Sequence, residues 1–325
     1  MKTLVLSTAD YAYLGEKIAA QLGAPAGATL LRKRFPDGET YLRVTENVQD
    51  VHVVLVGGTY SDSNLVELVS LGWQVVRDGA RRLSLVIPYF GYSTMERAVK
   101  PGEVVRAKAN AVILSSIPNP PHGLHIFLID LHSEGIPHYF EGNLNVVHLY
   151  ANAVILGKVR ELIERKDLVV GSADTGRAKW VESYARDLRG AVAIVTKRRI
   201  DGSTTEVLSV GGQDVRGKTV LIYDDMIRSG GSIVHAIEAY RAAGAARIVV
   251  ATTHLVLAGA AAAIVANVSI LNRILDAGAS DIVATNTLPQ AADAVAASTR
   301  SGQLHLCDVS SICATACQSG TSFNA

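Results

Sequence analysis

At 325 residues the chain is long enough for two ordinary hydrophobic cores, and its 31 Lys plus Arg nearly balance 30 Asp plus Glu. That balance excludes a nucleic-acid groove or an anionic membrane surface as the main partner, so any basic site must be local. Cys307, Cys313 and Cys317 cluster near the C-terminal end; an odd, clustered set is no disulfide framework and suits a reducing cytoplasm, and Cys313 and Cys317 fit one face of a terminal helix.

The chain opens on a short strand, residues 1–7, without the long apolar core and cleavage site of a signal peptide, so a cytoplasmic location is expected. Phe35-Pro36-Asp37-Gly38-Glu39 reads either as a charged turn or as an aromatic face with acidic acceptors for a nucleobase. Val53 to Val56 is an apolar run of the parallel-strand type. A Gly57-Gly58-Thr59 turn and a polar cap at 61–64 come next, then a helix with Leu65, Leu68, Val69 and Val76 inward, and Gly79 to Leu83 enters another strand. The strand Ile126 to Asp130 runs into Leu131-His132-Ser133, and Asp130, His132 and Glu134 together make a polar strand end of the kind that presents ligands in α/β sheets. A lone histidine is more often structural.

Leu168 to Gly171 is a strand ending at Ala173-Asp174-Thr175-Gly176, and Ala193 to Thr196 is one ending at Lys197-Arg198-Arg199 before a polar stretch at 200–205. Lys197 and Arg199 alternate on an extended backbone and so share a face; the bland alternative is a solvated basic strand end. Gly212 to Thr219 satisfies the Walker A pattern letter by letter. A P-loop comes after a strand and opens a helix, whereas this segment lies between a strand at 204–210 and another at 220–223, and it reads as a hairpin turn.

The most informative segment runs from Val220 to Ile233. Val220 to Tyr223 is a buried strand, Asp224 and Asp225 end it, and Gly230 and Gly231 permit left-handed angles in a turn where Ser229 and Ser232 add hydroxyls. A helix opening at Ile233, with Ser232 as cap and Ile237 and Tyr240 inward, offers free N–H groups to phosphate. Two carboxylates before that nest would repel a bare polyphosphate, so they suit ribose hydroxyls or magnesium; an acidic strand end with an ordinary turn is the plain alternative. Ile248 to Leu271 has no Asp, Glu, Lys or Arg, but its polar interruptions divide it into a strand, a turn and an alanine-rich helix rather than a membrane span.

The order strand, turn, cap, helix, glycine and strand occurs twice: Val56 matches Tyr223, and Gly79 matches Gly244, at offsets of about 165 residues. Alternating strands and helices predict right-handed βαβ units and a doubly wound sheet in each half, with the boundary near residues 145–150.

Phe35 to Glu39, Pro88-Tyr89-Phe90-Gly91-Tyr92, Asp130 to Ser133, Ala173 to Gly176, Lys197 to Arg199 and Asp224 to Ser232 together resemble the ribose-phosphate diphosphokinases, also called phosphoribosyl diphosphate synthetases. The resemblance implies an α/β fold of two tandem phosphoribosyltransferase-like domains, each a mostly parallel sheet flanked by helices. Residues 1–147 would carry the ATP and adenine loop and the oligomerisation surface, residues 148–310 the ribose 5-phosphate cradle and catalytic loop, and residues 311–325 a tail. It implies transfer of the β,γ-diphosphoryl group of ATP to the 1-hydroxyl of ribose 5-phosphate, giving phosphoribosyl diphosphate and AMP, with Mg2+. Phe35, Asp37 and Glu39 would hold adenine across a subunit interface, which implies a homo-oligomer, dimer or hexamer. His132 would stand near the ATP phosphates and their magnesium, and Asp174 would carry a second magnesium or its water shell. Lys197 and Arg199 would be catalytic on a mobile loop. Asp224 and Asp225 would take ribose hydroxyls, and Arg228, Ser229, Gly230, Gly231 and Ser232 the 5-phosphate. No nucleic-acid or membrane partner is implied.

Two departures stand out. Arg228 replaces a usual third acid, with serines for threonines at Ser229 and Ser232, and Thr94-Met95 replaces a usual Arg-Gln pair contacting ATP. Arg97, Lys100 or Arg106 on the same segment could supply the missing cation, and Arg97 is taken as the ATP contact. Two other readings share part of the pattern: a phosphoribosyltransferase, which needs no second copy of the fold, and a non-catalytic regulatory homologue of the synthetase.

Overall fold

The computed structural model describes residues 1–25, 30–164, 167–173, 176, 178–199, 205–259 and 262–319. Its strands in chain order are β1 (Thr3–Ser7), β2 (Leu30–Arg34), β3 (Thr40–Val44), β4 (His52–Val56), β5 (Arg82–Ile87), β6 (Leu124–Ile129), β7 (Asn145–Leu149), β8 (Leu168–Ser172), β9 (Ala191–Arg199), β10 (Thr205–Gly212), β11 (Thr219–Ile227), β12 (Arg247–Leu255), β13 (Asp281–Thr285) and β14 (Leu304–Cys307). The α-helices are α1 (Ala12–Leu22), α2 (Asp62–Arg77), α3 (Arg106–Ser115), α4 (Asn152–Leu162), α5 (Ala178–Leu188), α6 (Gly231–Ala242), α7 (Ile264–Asp276), α8 (Pro289–Ala297) and α9 (Ser310–Ser319).

The chain divides into two compact units, Met1–Tyr150 with Val309–Ala325, and Ala151–Asp308. In the first, a five-stranded sheet has the order β1-β4-β5-β6-β7 and every pairing is parallel. All five residues of β4 are buried, as expected where helices cover both faces. Strands β2 and β3 form a separate antiparallel pair. In the second, a seven-stranded sheet has the order β10-β9-β8-β11-β12-β13-β14, parallel throughout except for β9 with β10.

The repeat extends to individual bonds. His52 pairs with Arg82 where β4 meets β5, and Thr219 with Arg247 where β11 meets β12. Ahead of these strands, Ala80 N–H donates to the Val75 carbonyl and Ala245 N–H to that of Tyr240, each at 3.0 Å, past Gly79 (φ 89°) and Gly244 (φ 95°). Each left-handed glycine ends its helix and turns the chain back into the sheet.

Several boundaries differ from the sequence expectation. β11 continues through Ile227, so Asp224 and Asp225 belong to the strand; Met226 and Ile227 prolong it because Ile227 is still core. α6 starts at Gly231, with Gly230 as its N-cap at φ 76° and no side-chain bond from a cap. Only the first glycine of the pair is left-handed, so Ser232 lies inside the helix and does not cap it. β9 runs on to Arg199 because β10 pairs with it to the end, Arg199 opposite Thr205. Gly212 to Thr219 is not a hairpin turn: β10 bonds to β9, while β11 lies between β8 and β12, so the segment crosses from sheet edge to centre. The apolar helix α7 begins at Ile264 after an Ala263 cap, so Ala262 and Ala263 precede it. Among the described residues no helix is long and apolar enough to cross a membrane.

Two of these positions bear on stability. A Cβ on Gly230 would lie 3.1 Å from Ile274 Cδ1 and 3.3 Å from Ile270 Cγ2, at a φ that costs an L-residue about 1–2 kcal/mol. Gly230→Ala is expected to lose about 1–2 kcal/mol in urea unfolding, and an unshifted midpoint would show that the turn relaxes freely. His52, buried with Nε2 2.9 Å from Ser84 Oγ, has its pKa lowered to about 4, first by burial and then by the Arg82 charge. The unfolded imidazole, near 6.5, takes its proton first, so stability is full above pH 6.5 and falls as pH drops towards 4, by on the order of 2 kcal/mol from this group. His52→Gln should flatten that acid limb; an identical pH dependence would assign the loss elsewhere.

Candidate active site

Parallel strands β8 and β11 are neighbours, but the chain leaves β8 for β9 on one side and reaches β11 on the other. Such a switch in winding direction opens a crevice at the carboxyl ends of the two strands. Tyr223 is the last residue of β11 to pair with β8, opposite Ser172. Beyond it β11 pairs with β12 alone, Asp224 opposite Thr252 and Met226 opposite His254. The acid pair therefore emerges where the neighbouring strand has stopped.

Asp225 is buried at 4 % exposure, and Asp224 is half-buried, its Oδ1 accepting the Asp225 N–H at 3.0 Å. Arg228, Ser229 and Ser232 are exposed around the buried Gly230, so the turn presents guanidinium and hydroxyl groups outward at the N-terminus of α6. Backbone N–H groups there carry the positive end of the helix dipole and suit a phosphate.

Behind the acids lies a brace that sequence reasoning missed. The Tyr223 ring stacks on Tyr184 at 4.1 Å between centroids, Trp180 lies 6.4 Å away, and the Tyr223 hydroxyl is 3.2 Å from Thr253 Oγ1. Tyr240 of α6 donates to the carbonyls of Ser172 at 3.2 Å and Ala193 at 3.0 Å, fixing that helix against the end of β8 and the part of β9 paired beside it. Burial pushes the Tyr240 phenol well above its ordinary value, so it stays a donor. Gly171 makes room for it: a Cβ there would come 2.7 Å from the Tyr240 ring. The helical spacing of Ile233, Ile237 and Tyr240 marks the burial of Tyr240, but not its hydroxyl contacts.

Lys197 and Arg199 lie on β9 opposite Val207 and Thr205. Because Ile194 pairs with Ser172, Lys197 is three residues past the end of β8, about 10 Å along the strand. The β9–β10 pair thus projects from the same carboxyl edge that bears the acid pair. The side chains of Lys197 and Arg199, and all of Asp174, lie outside the described residues.

In the first unit, β5 and β6 end side by side. After β5, Gly91 N–H donates to Thr59 Oγ1 at 2.8 Å, and a Cβ on Gly91 would fall 2.0 Å from the Thr59 carbonyl, so only glycine permits this approach. After β6, the buried Asp130 turns left-handed at φ 38° and delivers the half-buried His132. Of the three candidate cations nearby, Arg106 is engaged: it bonds Asp62 at 2.6 Å and lies 4.3 Å over the Tyr92 ring, and the Tyr92 hydroxyl, then Arg106, hold the Asp62 carboxyl below its usual range. The Arg97 side chain is 79 % exposed, 3.6 Å from Glu96. Phe35 to Glu39 form the tip joining β2 and β3. Phe35 N–H donates to the Glu39 carbonyl at 2.8 Å, Asp37 Oδ1 accepts the Glu39 N–H at 3.0 Å, and the Phe35 ring stays 37 % exposed. The structure thus gathers residues 224–232 and the backbone of 197–199 on one sheet edge of the second unit. His132 and the 88–92 turn share an edge of the first, and the 35–39 tip stands on its own two-stranded sheet.

Comparison with known proteins respects the same division. Residues 3–117 match the N-terminal domain of ribose phosphate pyrophosphokinase, and residues 149–274 match the phosphoribosyl transferase domain. A ribose-phosphate pyrophosphokinase of Chlorobaculum tepidum is 34% identical over 249 residues, covering 76% of this chain and 75% of that protein. One of Gloeobacter violaceus is 33% identical over 281 residues, covering 85% and 79%. The crystal structure of phosphoribosylpyrophosphate synthetase from Mycobacterium smegmatis superposes with a TM-score of 0.82 at 26% identity, covering 98% of this chain and 99% of that one. With both units matched in order and most of each relative's length aligned, the chain belongs to the ribose-phosphate pyrophosphokinase family of enzymes.

Proposed function

We propose that the chain transfers the β,γ-diphosphoryl group of ATP to the 1-hydroxyl of ribose 5-phosphate, releasing AMP. The observation that carries this reading is the single sheet edge on which β11 places Asp224 and Asp225, α6 places its N-terminus and β9 extends towards Lys197 and Arg199. Asp224 and Asp225 accept from the ribose hydroxyls, while the 229–232 turn and Arg228 hold the 5-phosphate at the helix N-terminus. Fixing both ends of the pentose aligns its anomeric oxygen with the β-phosphorus, and positioning supplies much of the rate in phosphoryl transfer. Lys197 and Arg199, at the end of β9, then neutralise the charge moving with the diphosphoryl group.

The ATP side belongs to the first unit, through Phe35, Asp37 and Glu39 for adenine and Arg97 and His132 for the phosphates, and the protruding 35–39 tip would complete a neighbour's site in a homo-oligomer. Among the described residues no three His, Cys, Asp or Glu side chains converge as an ion cage. Hydrated Mg2+ on phosphate oxygens needs only one or two protein ligands, and the polar end of β6, where Asp130 flanks His132, has donor chemistry that fits; Asp174 would serve the second ion. Magnesium held there would neutralise phosphate charge.

Incubation with ATP, Mg2+ and ribose 5-phosphate should yield AMP and phosphoribosyl diphosphate in equal amounts. ADP as the nucleotide product would mean transfer of a single phosphoryl group and would overturn the reading. Lys197→Ala should lower kcat by about 10²–10³-fold with thermal stability unchanged, and wild-type turnover in that variant would remove the β9 hairpin from the chemistry.

A further inference from the structure

The polar end of β6 is set by a side chain from the strand beside it. Asp130 N–H continues the parallel ladder to the Leu149 carbonyl at 3.0 Å, and the chain then leaves the sheet through the left-handed Asp130. The next amide, that of the 2 % exposed Leu131, bonds a side chain and not a strand carbonyl. His148, opposite Leu128 on β7, supplies the acceptor instead: its Nε2 lies 2.9 Å from Leu131 N. An accepting Nε2 leaves the ring proton on Nδ1. The Tyr150 ring lies against that imidazole at 4.4 Å between centroids and limits its rotation.

We infer that His148 is a positioning residue, which fixes the Leu131 amide and so sets the direction in which His132 leaves the sheet. The chain at Asp130 occupies a conformation that costs a non-glycine residue about 1–2 kcal/mol, comparable with what one hydrogen bond returns. Without an acceptor at position 148 the Leu131 amide is buried and unpaired, and the turn is free to relax. His132 would shift although His148 itself touches no substrate. The inference rests on the ATP-side role proposed for His132, but the bond it concerns can be measured without turnover.

The test pairs His148→Ala with His148→Gln, whose carbonyl can reach the position of Nε2. Amide hydrogen exchange read at Leu131 should accelerate in the alanine variant and return towards wild type in the glutamine variant. Steady-state assays should show kcat lower by roughly ten- to hundredfold in His148→Ala, with KM for ribose 5-phosphate within about twofold of wild type, and most of the loss recovered in His148→Gln. Unchanged exchange at Leu131 in His148→Ala overturns the inference whatever the activity. Equal loss of kcat in both variants, or loss that tracks a fall in melting temperature, also overturns it and reduces His148 to packing. A wild-type protein that releases no AMP sinks the proposed function alone, since the exchange data still decide the role of His148.

Discussion

The site depends on the overrun of β11 past β8. Hydrogen bonding between them ends at Tyr223 and Ser172, yet β11 remains a strand through Ile227 on the support of β12 alone. A strand that loses one neighbour has unpaired amides and carbonyls on that side, which in a buried sheet is costly unless water or ligand reaches them. Placing acids there eases the conflict, because Asp224 Oδ1 accepts the Asp225 N–H. The aromatic stack of Tyr223 on Tyr184 holds the last doubly paired residue, so the acid pair stands on a rigid base.

The same plan is executed twice, and the two copies diverge in the turns beyond β4 and β11. After β4, Ser61 caps α2 by accepting the Asn64 N–H at 3.2 Å, which commits the helix N-terminus to its own side chain. After β11, Gly230 caps α6 without a side-chain bond of its own. Both units also carry an antiparallel pair after the first strand: β2–β3, whose connection holds the aromatic-acidic tip, and β9–β10, in which the basic residues 197–199 end β9. One further element completes the repeat. In the second unit α4 packs on α5, and in the first the chain's last helix, α9, packs on α1, the counterpart of α5. Cys313 and Cys317 are buried on that helix, and burial pushes the Cys317 thiol up to about 12, so it serves as an apolar side chain and not as a nucleophile.

Legibility in the sequence depended on the range of the interaction. Apolar runs such as Val53 to Val56 and Val220 to Tyr223 could be read because a sheet covered on both faces demands continuous hydrophobicity, whatever lies next to it. The offset of about 165 residues was visible because helix-ending glycines need positive φ in both copies. The cradle was readable as chemistry but not as geometry. Gly230, not Gly231, turns left-handed, and it does so where Ile270 and Ile274 of α7 leave little room for a Cβ, a contact that nothing local encodes. Likewise the hydroxyl of Tyr240, the Tyr184–Tyr223 stack and the reach of His148 to Leu131 join positions far apart in the chain, each an ordinary core or polar residue when read alone.

Arg228 can be understood on the same terms. It stands two residues before the N-cap of α6, where an added cation faces the positive end of the helix dipole and costs a few tenths of a kcal/mol. The acid expected there from the resemblance would be favoured by that dipole in the empty site but would repel an incoming phosphate. Exchanging acid for arginine reverses both effects, so the turn is less comfortable empty and better matched to a dianion. Because Arg228 is exposed at the rim while Asp224 and Asp225 are set deeper, the reversed charge acts on the end of a ligand that enters the turn and not on the end held by the acids. On the proposed reading, the substitution tunes capture of the 5-phosphate and leaves the geometry of the anomeric oxygen to β11.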